Sequence, residues 1–204
     1  MSVVPNIEQP SRPITASERS GRGRVRRLAA LTGRSLAYAA LLLPVALATL
    51  PPLLVGRTGT VVAMWRGLRA RVLGVPSVAA PRRPGVLAVT GHTLLSLLLG
   101  VAALPPLGVQ LLMVLRGALY GLVEPGPYDT AWGGPTLAGA WLVHFLVAVP
   151  TSVAGLALLI AIAALHRRFT AALDGERQRV WALAAALLIG AAMGLFVVAW
   201  LQQI

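Results

Sequence analysis

Val180 to Leu201 is a run of 22 residues without one charged side chain, and a stretch of that length and character prefers hydrocarbon to water. Three more apolar runs precede it, Leu36–Gly56, Val86–Leu115 and Leu137–Leu165. A chain of 204 residues is too short to enclose four such runs in one water-soluble core. The mean hydropathy of +0.77 and the 57% hydrophobic content agree, because soluble domains hold roughly 45–50% apolar residues. In hydrocarbon every backbone N–H and C=O must find its partner inside the protein, which a helix provides. The expected fold is an all-α, polytopic transmembrane helical bundle.

The same composition narrows the chemistry. There are no cysteines, so disulfides, thiolate metal sites and cysteine nucleophiles are excluded together. Three histidines and six acidic residues leave little for a carboxylate-rich metal site, and no phosphate-binding loop, dinucleotide fingerprint, His-Glu-x-x-His or nucleophile elbow is present. Catalytic residues, cofactor and metal are all expected to be none, and the chain is not expected to be an enzyme. The net charge of +12 comes from 18 arginines and no lysine. These cluster beside the apolar runs, so the lipid bilayer and its anionic headgroups are the expected partners and nucleic acid is not.

Residues 1–34 hold seven arginines and three prolines and read as a disordered basic tail ahead of a membrane domain over 35–201. Ala46-Leu47-Ala48 has the form of a signal-peptide cleavage site, but the basic leader is far longer than an ordinary n-region. If Leu36–Gly56 simply crossed, six arginines between 57 and 85 would face away from the tail. A Pro-broken, re-entrant hairpin over 36–64, with Pro51–Pro52 near its apex, puts 17 of the 18 arginines at one border instead. A plain four-span chain is the alternative. Residues 65–85 then form an amphipathic helix and loop in the cytoplasmic headgroup layer, 86–115 a span broken at Pro105–Pro106, 116–136 an external loop, 137–165 a span, 166–179 a cytoplasmic linker and 180–201 the last span. The expected setting is a plasma (inner) membrane, with the N-terminus cytoplasmic.

Ionisable groups inside spans are functional candidates. His92 and His144 qualify, but this topology puts them near opposite faces, so they do not share a metal. Arg116, at the exit of the second run, can pair with Glu124 or Asp129. The stretch Tyr128-Asp129-Thr130-Ala131-Trp132-Gly133-Gly134-Pro135, followed by Trp141 and His144, carries the most information. It reads either as an aromatic membrane belt or as a cap sensing a ligand or the lipid surface, with Asp129 and His144 as polar handles. Gly190 and Gly194 form a small-xxx-small packing face, and Gly117 and Gly121 repeat the spacing. Leu42-Leu43-Pro44 leading to Pro51–Pro52 is echoed by Leu98-Leu99-Gly100 leading to Pro105–Pro106, a hint of duplication.

The segment Tyr38 to about Arg71, with Leu43-Pro44 and Leu54-Val55-Gly56 before an arginine-rich helix, resembles the first half of a sensor domain family of actinobacterial membrane proteins. Leu94–Leu107, the Tyr128–Pro135 loop and Trp141–Arg168 resemble its second half. Family members are often joined to a histidine kinase. The resemblance implies a non-enzymatic membrane input or accessory module, and here no kinase domain follows, so the signal would pass to a separate protein or a second copy. A small transporter or channel subunit is the other reading, suggested by the proline-broken segments.

Overall fold

The computed structural model describes residues 16–76 and 84–203, and among them every regular element is helical. The tail up to residue 15 and the stretch 77–83 lie outside the described residues. Four helical stretches are long and apolar enough to cross a membrane: Gly23–Leu54, Val86–Ala118, Leu137–Ala172 and Val180–Leu201. The all-α bundle read from the apolar runs is what the chain forms.

Helix α1, Ala16–Leu54, begins inside the stretch expected to be a disordered tail and runs unbroken through Pro44, Pro51 and Pro52. The hairpin turn falls four residues past the proline pair. There Gly56 takes φ +73°, the Gly56 N–H bonds Leu53 O and the Arg57 N–H bonds Pro52 O. Those two bonds close a Schellman cap, which needs a left-handed residue that only glycine adopts without strain. Helix α2, Thr58–Leu73, then runs back until Gly74 lies beside the Arg34 guanidinium. The hairpin is therefore helical on both arms, and Pro51–Pro52 does not mark its apex. The apolar stripe of α2 is covered by protein. Val61, Val62, Trp65, Leu68 and Arg69 of α2 are buried in the bundle, because the stripe faces α1 and its neighbours.

The second apolar run divides into α3, Val86–Ala102, and α4, Leu104–Met113. The break falls at Ala103, so Pro105 and Pro106 sit in the first turn of α4, where backbone donors have no helical partner to lose. One π-helical turn, Val114–Ala118, and the single turn α5, Tyr120–Val123, carry the chain into the loop. Helix α6, Leu137–Ala172, starts where the Thr136 hydroxyl accepts from the Gly139 N–H at 3.1 Å. It extends seven residues beyond the expected span. Helix α7, Val180–Leu201, coincides with the last apolar run.

Helix α6 runs antiparallel to the α3–α4 arm, with Ala148 against Gly117, Gly155 against the Gln110 side chain and His166 against Ser96. At 1.5 Å per residue α6 is about 54 Å long and α7 only about 33 Å. The arm and α6 therefore rise past the α1–α2 turn and the end of α7, and the loop caps that projecting pair. One end of the bundle, the arginine end, holds Arg34, Arg66, Arg69, Arg71, Arg167, Arg168, Arg177 and Arg179; the other, the loop end, holds Arg116, Glu124 and Asp129, and Arg57, expected with the first group, sits at the α1–α2 turn on the loop side.

The core sits in the arginine half, around Tyr38, Leu42, Trp65, Leu99, Leu159, Ile162 and His166, all fully buried. The outward surface is apolar: Leu188 and Leu195 of α7 are 70% and 71% exposed, which suits a bilayer and not water. Lipid supplies no hydrophobic drive between helices, so close approach at small residues has to hold them. Gly100 meets the α1 backbone at Leu43, Gly117 meets Ala148, and Gly121 meets the Trp141 ring. Gly190 packs on Leu98 of α3, but among the described residues nothing approaches Gly194. The expected Gly190–Gly194 packing face is thus half used, because α7 touches α3 mainly along its first part, through Ala182, Ala186 and Gly190.

Candidate functional site

Three helices each bring an i,i+4 polar pair to the same place: Trp65 and Arg69 on α2, His92 and Ser96 on α3, His166 and Thr170 on α6. Residues four apart share a helix face, so each pair points one way. Tyr38 of α1 joins them. His166, fully buried, is the centre: its Nδ1 lies 2.9 Å from the Tyr38 hydroxyl and its Nε2 2.8 Å from Ser96 Oγ.

The direction of these bonds follows from one carbonyl. Ser96 Oγ is 2.6 Å from His92 O, and a carbonyl can only accept, so the serine hydrogen goes there. Ser96 Oγ is then the acceptor for His166 Nε2–H, and His166 Nδ1 accepts from Tyr38 O–H. A neutral imidazole satisfies the whole chain, Tyr38 to His166 to Ser96 to the α3 backbone, and ties α1, α3 and α6 together.

The adjacent polar atoms have no such partners. Both ring nitrogens of His92, Trp65 Nε1, Thr93 Oγ1 and Arg69 Nε are buried without a hydrogen bond among the described residues. The rings nevertheless pack tightly, with His92 centred 5.1 Å from His166 and 5.3 Å from Trp65, which stands edge-on to it. One turn nearer the arginine end, Asp174 accepts from Arg66 Nε at 2.6 Å and from Arg69, with Asp174 and Arg69 side chains only 6% and 4% exposed. Asp174 sits just past α6, where the Gly175 N–H bonds Ala172 O and the Glu176 N–H bonds Ala171 O. This cap fixes the carboxylate against α2.

The loop end holds a second cluster. His144 and Tyr120 stack with centroids 4.0 Å apart and planes 16° apart. His144 Nδ1 donates to Ala140 O at 2.7 Å. Trp141 Nε1 donates to Ala118 O, at the end of the π turn, at 3.2 Å, and Tyr128 O–H donates to Glu124 O at 2.7 Å. Arg116 pairs with Glu124 at 3.4 Å on the surface, not with Asp129. A pocket of about 410 Å³ opens between α4, the π turn, α6 and the loop, lined by Met113, Arg116, Tyr120, Trp132, His144 and Val147 among others.

Of the residues singled out in the sequence, Arg116, Trp132 and His144 therefore line one pocket, while Tyr128 and Trp141 brace its walls. Asp129 is exposed and outside the lining, so of the two expected polar handles only His144 lines this pocket. His92 is far from His144, as the topology required. Its neighbour is His166, which the sequence presents as the first residue of a charged helix end. Tyr38, Trp65, Ser96 and Asp174 are equally unmarked there; the shared i,i+4 spacing is a signal that groups Trp65 and Ser96 with His92 and His166, and nothing in the sequence adds Tyr38 or Asp174. No group of three or more His, Cys, Asp or Glu residues among the described residues is placed to hold a metal ion. No family model, curated protein or solved structure matches the chain.

Proposed function

We propose that the chain is a non-enzymatic, sensor-like or accessory module of a plasma (inner) membrane, receiving a stimulus at the loop end and passing it to a separate protein, or to a second copy, at the arginine end. The observation that carries this is the reach of α6. One continuous helix supplies His144 to the loop-end pocket and His166 to the buried network, and their separation of 22 positions corresponds to about 33 Å. The arginine distribution supports a cytoplasmic arginine end. The likeness to the sensor domain family rests on the residues quoted for it and points the same way.

A stimulus shifts a conformational equilibrium only by its differential contact with the two states. The loop-end pocket offers such contacts on two elements, the π turn and α6, and π turns recur where helices must adjust. The test is photo-crosslinking in native membranes from a reactive side chain at Gln178, with and without His144→Leu and Trp132→Ala. A discrete cross-linked species whose yield changes with the loop-end substitutions is the expected result. A chain that cross-links to nothing, with or without them, defeats the proposal.

The unpaired polar atoms around His92 and the break at Ala103 favour a second reading, a small transporter or channel subunit. Flux from liposomes holding the purified chain decides it: silence across ions and small solutes removes that reading.

A further inference from the structure

Between α1 and α6 at the arginine end lies a groove of about 230 Å³ whose rim is Arg34 and Arg167 and whose floor is apolar, formed by Leu31, Leu73, Ile160 and Ala163. Both arginines are exposed, Leu31 is 60% exposed and Ile160 39%. Its neighbour is different in kind. That larger depression, about 460 Å³, is lined by Arg69, Arg167 and Arg168 but also by Asp174 and Glu176, and Asp174 is already bonded to Arg66 and Arg69. Its positive charge is answered from within the chain. In the groove, no carboxylate stands among the described lining residues.

From this we infer that the groove is a binding site for one anionic phospholipid, with the headgroup phosphate between Arg34 and Arg167 and an acyl chain laid along the apolar floor. The charge and the shape ask for the same molecule. Two guanidiniums present several fixed donors to phosphate oxygens, and basic pockets between membrane helices suit anionic headgroups. A free anion would use the rim and leave Leu31 and Ile160 uncovered. A zwitterionic lipid would cover the floor but bring its own cation to the rim. Because Arg34 is on α1 and Arg167 follows His166 on α6, an occupied groove would clamp the two helices that the Tyr38–His166 bond joins. The inference rests on membrane embedding and not on signalling, so it survives if the sensor proposal fails.

The test uses the full chain purified in a neutral detergent and supplied with phosphatidylglycerol, phosphatidylcholine or inorganic phosphate. Retained lipid is read by native mass spectrometry and stability by thermal unfolding. Phosphatidylglycerol should remain bound at one molecule per chain and raise the unfolding midpoint, with phosphatidylcholine and phosphate doing neither. The Arg34→Gln, Arg167→Gln double variant should weaken retention about tenfold or more, since each guanidinium near a headgroup contributes on the order of 1 kcal/mol. Arg177→Gln, Arg179→Gln removes the same charge outside the groove and should retain lipid as the parent does. Equal retention by the two double variants would reduce the effect to net charge and overturn the assignment. Equal stabilisation by inorganic phosphate, or equal retention of phosphatidylcholine, would overturn it as well. If the groove variant unfolds, Ala164→Leu, which narrows the groove and keeps both arginines, should lose phosphatidylglycerol; unchanged retention there overturns the inference too.

Discussion

Ser96 and Tyr38 both bond His166, yet their loss should not cost the same. Ser96→Ala strands His166 Nε2–H, which has no second acceptor among the described residues. An orphaned buried donor costs about 1–3 kcal/mol. Tyr38→Phe frees Nδ1, but the Thr170 hydroxyl stands 3.4 Å from that nitrogen and can turn toward it. That loss should stay near or below about 1 kcal/mol. Denaturant unfolding in mixed micelles measures both, and a larger cost for Tyr38→Phe would reverse the tautomer derived above. The acidic residues give a second contrast. Asp174→Asn leaves Arg69 buried beside a neutral amide, and breaking a buried pair costs roughly 3–5 kcal/mol. Arg66 is 24% exposed and water can reach it, so the lower end is expected. Glu124→Gln breaks a pair with side chains 59% and 37% exposed, and should change stability by no more than about 1 kcal/mol.

At the scale of elements, the apolar runs were readable because one cause sets them: uncharged length. Helix α7 has the bounds of its run, whereas α1 does not stop where its prolines suggested. Pro51 and Pro52 forfeit two backbone donors, but stopping there would expose more backbone, and the glycine that can reverse the chain comes only at Gly56. The loop-end site was partly legible, since aromatic and polar residues concentrate between Tyr128 and His144. The buried network was not, because its members are scattered from Tyr38 to Thr170 and only the crossing of four helices joins them. Packing at glycine makes its own prediction. Gly117→Val drives methyl groups into Ala148 of α6 and should cost about 1–3 kcal/mol. Gly194→Ala meets open space, and should be neutral or slightly stabilising. Thermal unfolding of the two variants in the same detergent compares them directly.

The molecule as a whole is asymmetric end to end, and the absence of cysteine makes that testable without background. Single cysteines at Thr58, Arg71, Thr130 and Gln178 report the hairpin turn, the end of α2, the loop and the α6–α7 linker. An impermeant maleimide applied to intact cells should label Thr58→Cys and Thr130→Cys, and label Arg71→Cys and Gln178→Cys only after lysis. Labelling of Arg71→Cys from outside would mean that the hairpin does not return.

Unequal helix lengths tie the loop-end pocket to the membrane's thickness. Leu122 and Trp132 are 78% and 70% exposed on the part of the molecule that stands above the shorter helices. A bilayer matched to α7 leaves them at the waterline, with the Arg116–Glu124 pair still wet. A thicker one draws acyl chains up around that pair, where separated charges are costly. The ion pair would then close, or the projecting helices would lean, so under the proposed sensor reading a change in chain length or ordering of the lipids would serve as a stimulus without any soluble ligand.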